Sequence, residues 1–244
     1  MTVRVDLVPK SPYPQPVLLV DVFHGSLITG LLAQGASQVW VSRSARAARI
    51  KAGNRALLFG EQEGLPPEGF HYGTSLQGLE RLQLEGRECV LLSPALAQAL
   101  DGIPLESLLG HFRNARASIE QAVQQKIYTL VAASQGWLEP SLTNTVAAGF
   151  LAQRLHQHLG QWGELQDGAR MANALLKSFP DPQEALLQSD LGKGLFRSGH
   201  SEDIALTTLI SVENSPVRLA GLEVLEAKTH GLSKDRPVYG FRLQ

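Results

Sequence analysis

Two acidic residues stand where a binding site is easiest to build. Asp21 follows the apolar run Pro16-Val17-Leu18-Leu19-Val20 and leads into Val22-Phe23-His24-Gly25-Ser26, and Glu61 follows Arg55-Ala56-Leu57-Leu58-Phe59-Gly60. An apolar run that ends in a carboxylate and passes into small residues is how a buried strand delivers a side chain to the carboxyl edge of an open α/β sheet, where such folds place ligands. If the two runs are neighbouring strands, two carboxylates meet at one edge. Hard oxygen ligands of that kind suit Mg²⁺, whose remaining positions go to substrate phosphate and water. Glu63 offers a third carboxylate. His24, three residues after Asp21, could contact an anionic substrate or act as an acid near neutral pH. The loops Gly25-Ser26, Gly73-Thr74-Ser75 and Ser134-Gln135-Gly136 hold residues that let backbone amides approach an anion. Each feature also has a plainer reading. An Asp after a strand serves as a turn residue or helix cap, and a loop carboxylate is often only solvated.

The elements that must position these residues alternate through the first two-thirds of the chain. Residues 1–8 alternate apolar and polar side chains as a strand does, residues 26–34 have helical spacing and stop at Gly35, and residues 38–42 read as the next strand. A helix with a basic face follows over 44–52, ended by Gly53, and then the strand that leads to Glu61. Residues 75–85 predict a third helix, 88–92 a strand, 103–109 a short apolar segment, 115–125 a helix and 127–134 a strand. This succession predicts an α/β fold with a largely parallel sheet flanked by helices. Beyond Ser141 the texture becomes helical, over 142–159, 164–178, 184–189 and 202–212, and residues 217–224 and 236–243 read as closing strands at or near a sheet edge. The expected division is a sheet body over 1–160 carrying the site loops and a helical portion with closing strands over 161–244, packed as one unit.

Composition narrows the class of ligand. The 244 residues carry 22 basic and 23 acidic side chains, a formal net charge of -1, and 43% apolar residues. That balance points away from nucleic acid and membrane surfaces and towards a small-molecule ligand. The single cysteine, Cys89, excludes an intramolecular disulfide or a cysteine metal cluster and reads as core filler. A beginning without a basic segment followed by an apolar one, and no apolar run near the ~20 residues that span a bilayer, place the chain in the cytoplasm.

Several familiar sites are missing. There is no Gly-x-Gly-x-x-Gly, no Gly-x-x-x-x-Gly-Lys-Ser/Thr and no Gly-x-Ser-x-Gly, which removes dinucleotide, P-loop and nucleophile-elbow chemistry. Phe23 stands two residues after Asp21 where an aspartyl-phosphate phosphatase would carry its second Asp. His156 and His158 lie two apart on a predicted helix, do not share a face and read as surface residues.

The order and spacing of three motifs, Val20-Asp21-Val22-Phe23-His24-Gly25-Ser26, Leu58-Phe59-Gly60-Glu61-Gln62-Glu63-Gly64 and Gly69-Phe70-His71-Tyr72-Gly73-Thr74-Ser75, resemble the 2-phosphosulfolactate phosphatase family. The likeness continues through Ala132-Ala133-Ser134, Ser141-Leu142-Thr143-Asn144 with Ala148-Gly149, and Ser189-Asp190-Leu191-Gly192-Lys193-Gly194-Leu195 leading to Gly199 and Glu202-Asp203. It implies an Mg²⁺-dependent phosphatase that converts 2-phospho-3-sulfolactate, or a related small phosphate ester, into 3-sulfolactate and phosphate, a step in making coenzyme M in some archaea. Taken together with the reading of the residues, it gives Asp21, Glu61 and His24 as the expected catalytic residues, His24 from its place beside Asp21 and not from the family, Asp21, Glu61 and Asn144 as the expected metal ligands, and Ser26, Gly73, Thr74, Ser75, Ser134 and Ser141 around the phosphate. The chain also departs from the family pattern. His24 replaces an arginine, Gln62 replaces another, Thr74 replaces an asparagine, Ser93-Pro94-Ala95 replaces a hydroxyl-rich loop, and Thr143-Asn144 replaces Glu-Asp. Guanidinium groups bind phosphate and sulfonate in a bidentate way that glutamine or neutral histidine does not. A second reading therefore stands beside the first, a non-catalytic descendant that keeps a pocket for an anion or a protein partner. The apolar helices after Ser141 could supply a homodimer surface.

Overall fold

Residues of the inner strands alternate between two apolar cores, and this alternation decides the architecture. Leu19 of β2 (Leu18–Val20), Leu109 of β6 (Leu108–Gly110) and Val131 of β7 (Thr129–Ala132) pack into one core, while Leu18, Val20, Leu108, Leu130 and Ala132 pack into the other. A strand buried on both faces needs a helical layer on each side. In the computed structural model, which describes every residue except 135–138, 233–235 and the side chain of Lys228, both layers are present. The first core is filled by Leu27, Ile28, Leu31 and Leu32 of α1 (Phe23–Ala33). The second is filled by α4 (Ala115–Gln125), α5 (Leu142–Leu159) and α6 (Asp167–Ser178).

The remaining elements complete one sheet. They are β1 (Thr2–Asp6), β3 (Gln38–Ser42), α2 (Ala45–Ala52), β4 (Leu57–Phe59), β5 (Glu88–Leu92), α3 (Pro94–Ala99), β8 (Glu164–Leu165), α7 (Pro182–Gln188), α8 (Asp190–Arg197), α9 (Glu202–Thr208), β9 (Val217–Leu225), α10 (Ala227–His230) and β10 (Arg236–Leu243). Among the described residues the ten strands lie in the order β4-β5-β3-β10-β9-β6-β2-β7-β1-β8. The β4-β5-β3 and β6-β2-β7-β1-β8 blocks are each parallel within, and the antiparallel hairpin β9-β10 joins them. Val39, Val41, Phe59 and Leu91 of the smaller block share the core around α1, while Trp40, Leu58 and Val90 turn to Ala47, Ala48 and Ala52 of α2. Cys89 is buried in the first core, and burial pushes its thiol up to about 12, as expected of core filler.

Two expectations fail here. The closing strands are not at an edge but occupy the fourth and fifth places of the ten. What seats them is space: Gly221 pairs with Gly240, and a Cβ on either would meet the Trp40 ring or the Gln38 side chain of β3 within 3.1 Å. Residues 75–85 do not form a helix; only the 3-10 turn Leu79–Arg81 does, after Gly78 at φ 74°. Leu76 and Leu79 instead lie against the Gly30 position of α1, so the segment crosses that helix as a covering loop. Helices α3 and α8 were not predicted. No helix among the described residues is long and apolar enough to cross a membrane.

Candidate active site

Strand β2 ends at Val20, and Asp21 turns its carboxylate back on the helix that follows. Its Oδ1 accepts the amides of His24 at 2.8 Å and Gly25 at 3.1 Å, satisfying donors that the first turn of α1 cannot bond internally. The plainer reading of Asp21 as a helix cap is thus realised, and Oδ2 has no hydrogen-bond partner among the described residues. Asp21 is 7% exposed, and His24 Nδ1 lies 4.0 Å from Oδ1.

Glu61 reaches the same place by another route. Strands β4 and β2 are not neighbours; five strands stand between them. Glu61 is carried by the segment after β4, where its Oε1 accepts both the amide of Thr74 at 2.7 Å and the Thr74 hydroxyl at 2.9 Å. Gly73 makes this possible, because a Cβ there would sit 2.6 Å from Oε1. The two carboxylates converge electrostatically on His24. Burial pushes its imidazole below the ordinary histidine value, and the charges of Asp21 and Glu61 pull it back only in part. At neutral pH the His24 ring therefore favours its uncharged form and is able to accept a proton. Glu63 stands apart, exposed in the Gln62–Leu65 turn at φ 54°.

Most of the hydroxyls expected around a phosphate already have partners. Ser26 is fully buried, donates to the Val22 carbonyl at 2.5 Å and faces His111 Nδ1 at 3.4 Å. Ser141 caps α5 by accepting the Asn144 amide at 3.3 Å. Ser75 donates to Asp203 Oδ1 at 3.1 Å. Ser134 is buried and lines a cavity of about 610 Å³ with Lys10, Gln98 and Asp101, while the rest of its predicted loop, Gln135-Gly136, lies outside the described residues. Asn144 ties three elements together: Oδ1 accepts from Val22 N and Nδ2 donates to the Ala133 carbonyl, both at 2.9 Å. Thr143, beside it, has a buried hydroxyl without a partner among the described residues.

Sequence reasoning missed two residues of this neighbourhood. His111, fully buried after β6, shares its Nε2 with the Thr29 hydroxyl at 2.8 Å, and burial next to the charge of Arg113 pushes it down to about 3. It obeys the rule that singled out Asp21, a polar residue directly after an apolar strand, so its signal was present. Asp203, at the start of α9, is fully buried and anchors Ser75 and Leu76. The family likeness runs through Glu202-Asp203, but its partners lie more than a hundred residues away, so the likeness gave it no role.

The family model for 2-phosphosulpholactate phosphatase matches residues 2–217. The chain belongs to that family. Relatives named as probable 2-phosphosulfolactate phosphatases are similar to it over most of their length: that of Deinococcus radiodurans is 31% identical, with 86% of this chain and 90% of the relative covered, and that of Thermus thermophilus is 31% identical, with 84% and 88% covered. The relative from Pseudothermotoga lettingae is 28% identical over 79% of this chain and 82% of its own. Asp21, His24, Glu61, Thr74, Asn144 and Asp203 all fall inside the stretch matched by the family. The match ends on the first residue of β9, so the hairpin at the centre of the sheet lies beyond it.

A metal centre made by the family member alone is not what these residues form. Among the described residues no three His, Cys, Asp or Glu side chains come together to hold an ion. Asn144 has both ends of its amide committed to backbone. Two carboxylates, each with one oxygen outside the hydrogen bonds above, remain; that donor set fits Mg²⁺ arriving with a phosphate, since this ion commonly takes only one or two protein carboxylates.

Proposed function

We propose that this chain hydrolyses a small phosphate monoester, 2-phospho-3-sulfolactate or a close relative of it, at the Asp21–His24–Glu61 cluster. The observation that carries the proposal is the His24 ring 4.0 Å from the Asp21 carboxylate and within the electrostatic reach of Glu61, in a member of this family. In this reading a water attacks phosphorus, the ester P–O bond breaks, and the proton lost by the water passes to His24 before it is returned to the departing alkoxide. His24 suits that part because its lowered affinity for protons keeps the basic form present at neutral pH. Asp21 orients His24 through the first turn of α1, and Glu61 is held by Thr74. Asp21 and Glu61 would hold Mg²⁺, with Asn144 at most a weak further oxygen. The ion, when bound, would polarise the phosphoryl oxygens and offset their charge. In this reading the residues 73–75, with Ser134 and Ser141 at the ends of β7 and α5, would hold the phosphate.

Purified protein is expected to release phosphate from 2-phospho-3-sulfolactate in Mg²⁺ and to lose that activity as Asp21→Asn. Absence of turnover above a blank in both Mg²⁺ and Mn²⁺ would overturn the reading. One observation favours a second reading, an anion-binding descendant without turnover: the hydroxyls of Ser26, Thr74, Ser75 and Ser141 are engaged within the protein. Calorimetric binding of phosphate or a sulfonate without hydrolysis would select it.

A further inference from the structure

Asp203 is 0% exposed in a helix of seven residues, yet it bonds no group of its own helix through its side chain. Its Oδ1 receives the Ser75 hydroxyl at 3.1 Å and the Leu76 amide at 2.9 Å, across 128 and 127 residues of chain. Among the described residues its buried Oδ2 makes no hydrogen bond of normal geometry; the Gln77 amide acts on the carboxylate from the same loop, and His200 Nδ1 lies 3.9 Å from Oδ2. A buried carboxylate with one poorly bonded oxygen is costly, and folds keep such a group where its other contacts matter. Those contacts fall on the residues directly after Thr74, whose amide and hydroxyl hold Glu61.

We propose that Asp203 is a positioning residue for the active site: by clamping residues 75 and 76 it fixes Thr74 and through it the Glu61 carboxylate. The proposal rests on the phosphatase reading for its effect on turnover, but not for its effect on the loop. What the clamp requires is an acceptor at Oδ1, not a charge. Burial raises the affinity of Asp203 for a proton, so the neutral form is accessible and an amide is a close substitute.

The test compares Asp203→Ala with Asp203→Asn by steady-state kinetics on 2-phospho-3-sulfolactate and by hydrogen exchange of the Thr74 and Leu76 amides. Asp203→Ala is expected to lower kcat about 10- to 100-fold with KM within about threefold, and to speed exchange at residues 74–76 selectively. Asp203→Asn, which keeps the oxygen, is expected to restore both to near the parent values. Unchanged exchange at Leu76 in Asp203→Ala, or equal loss in the Asn and Ala variants, overturns the proposal. If Asp203→Ala does not fold, Ser75→Ala removes one of the two donors and must shift the same amides in the same direction; no shift overturns it too. Should the parent protein show no turnover, the phosphatase reading fails by itself, and the exchange measurements still decide for or against the clamp.

Discussion

The turn after β2 and the segment after β4 each present one carboxylate to His24, and they are built in opposite ways. Asp21 is fixed by the backbone it belongs to: the residues it bonds, His24 and Gly25, are three and four positions on, and the cap forms as soon as α1 does. Glu61 depends on Thr74, thirteen residues away, which is held in turn by the grip of Asp203 on Ser75 and Leu76. Local hydrogen bonds tolerate movement elsewhere in the fold. A chain of distant ones transmits it. The comparison teaches that one half of the site is as stable as a helix terminus and the other only as stable as the loop that crosses α1.

Substitutions at Asp21 test the local half and carry the largest expected loss. Asp21→Asn keeps an oxygen for the His24 and Gly25 amides, so the fold should be retained while kcat falls on the order of 10³-fold. Asp21→Ala removes cap and charge together, and thermal unfolding should register a further loss of about 1 kcal/mol. If Asp21→Asn retained activity, the cap would be the whole role of this residue.

His24→Gln should cost about 10²-fold in kcat, the lower end for removal of a proton-transfer group. Its pH dependence is the sharper reading. In the parent protein, activity needs the neutral ring, so kcat/KM should hold as pH falls through the usual histidine value near 6.5 and decline only below it. That acid limb should flatten in His24→Gln. An acid limb centred above 6.5 would contradict the burial of the ring.

The distant half is probed most cleanly by Gly73→Ala. Its Cβ would lie 2.6 Å from Glu61 Oε1, so the carboxylate must move, while Gly73 itself needs no unusual backbone angle. Turnover is expected to fall about 10-fold with stability changed by less than about 1 kcal/mol. Equal effects on activity and melting would show that the segment is held more rigidly than its long-range contacts imply.

What the sequence discloses follows the same division. The strand Glu88–Leu92 and the helices Ala115–Gln125 and Leu142–Leu159 are predicted to the residue, because periodicity and the residues at their ends are local. Asp21 and Glu61 are legible from the apolar runs before them. Residues 75–85 have helical spacing, but the Leu76 amide goes to Asp203 and Gly78 turns the chain, so tertiary contacts overrule propensity. The place of β9 and β10 in the middle of the sheet depends on Gly221 and Gly240 yielding space to Trp40, a relation that no window of sequence contains. The hydroxyls of Ser26 and Ser75 read as exposed loop chemistry until their buried partners, His111 and Asp203, are known.

His111 should affect turnover least and acid stability plainly. It is fully buried beneath α1, hydrogen-bonded to Thr29, and its affinity for protons is pushed down to about 3 in the folded protein. An unfolded chain binds that proton near pH 6.5, so between these values the unfolded state carries more protons than the folded one. Stability contributed by the neutral ring is complete above 6.5 and is lost as pH falls, at up to about 1.4 kcal/mol per pH unit. Urea unfolding from pH 7 to 5 should follow this slope, and His111→Gln should reduce it while leaving kcat at pH 7 within about threefold, because the ring contacts Ser26 and Thr29, not the carboxylates. A large loss of kcat would place His111 in the chemistry, and the site would then extend through Ser26 into the core beneath α1.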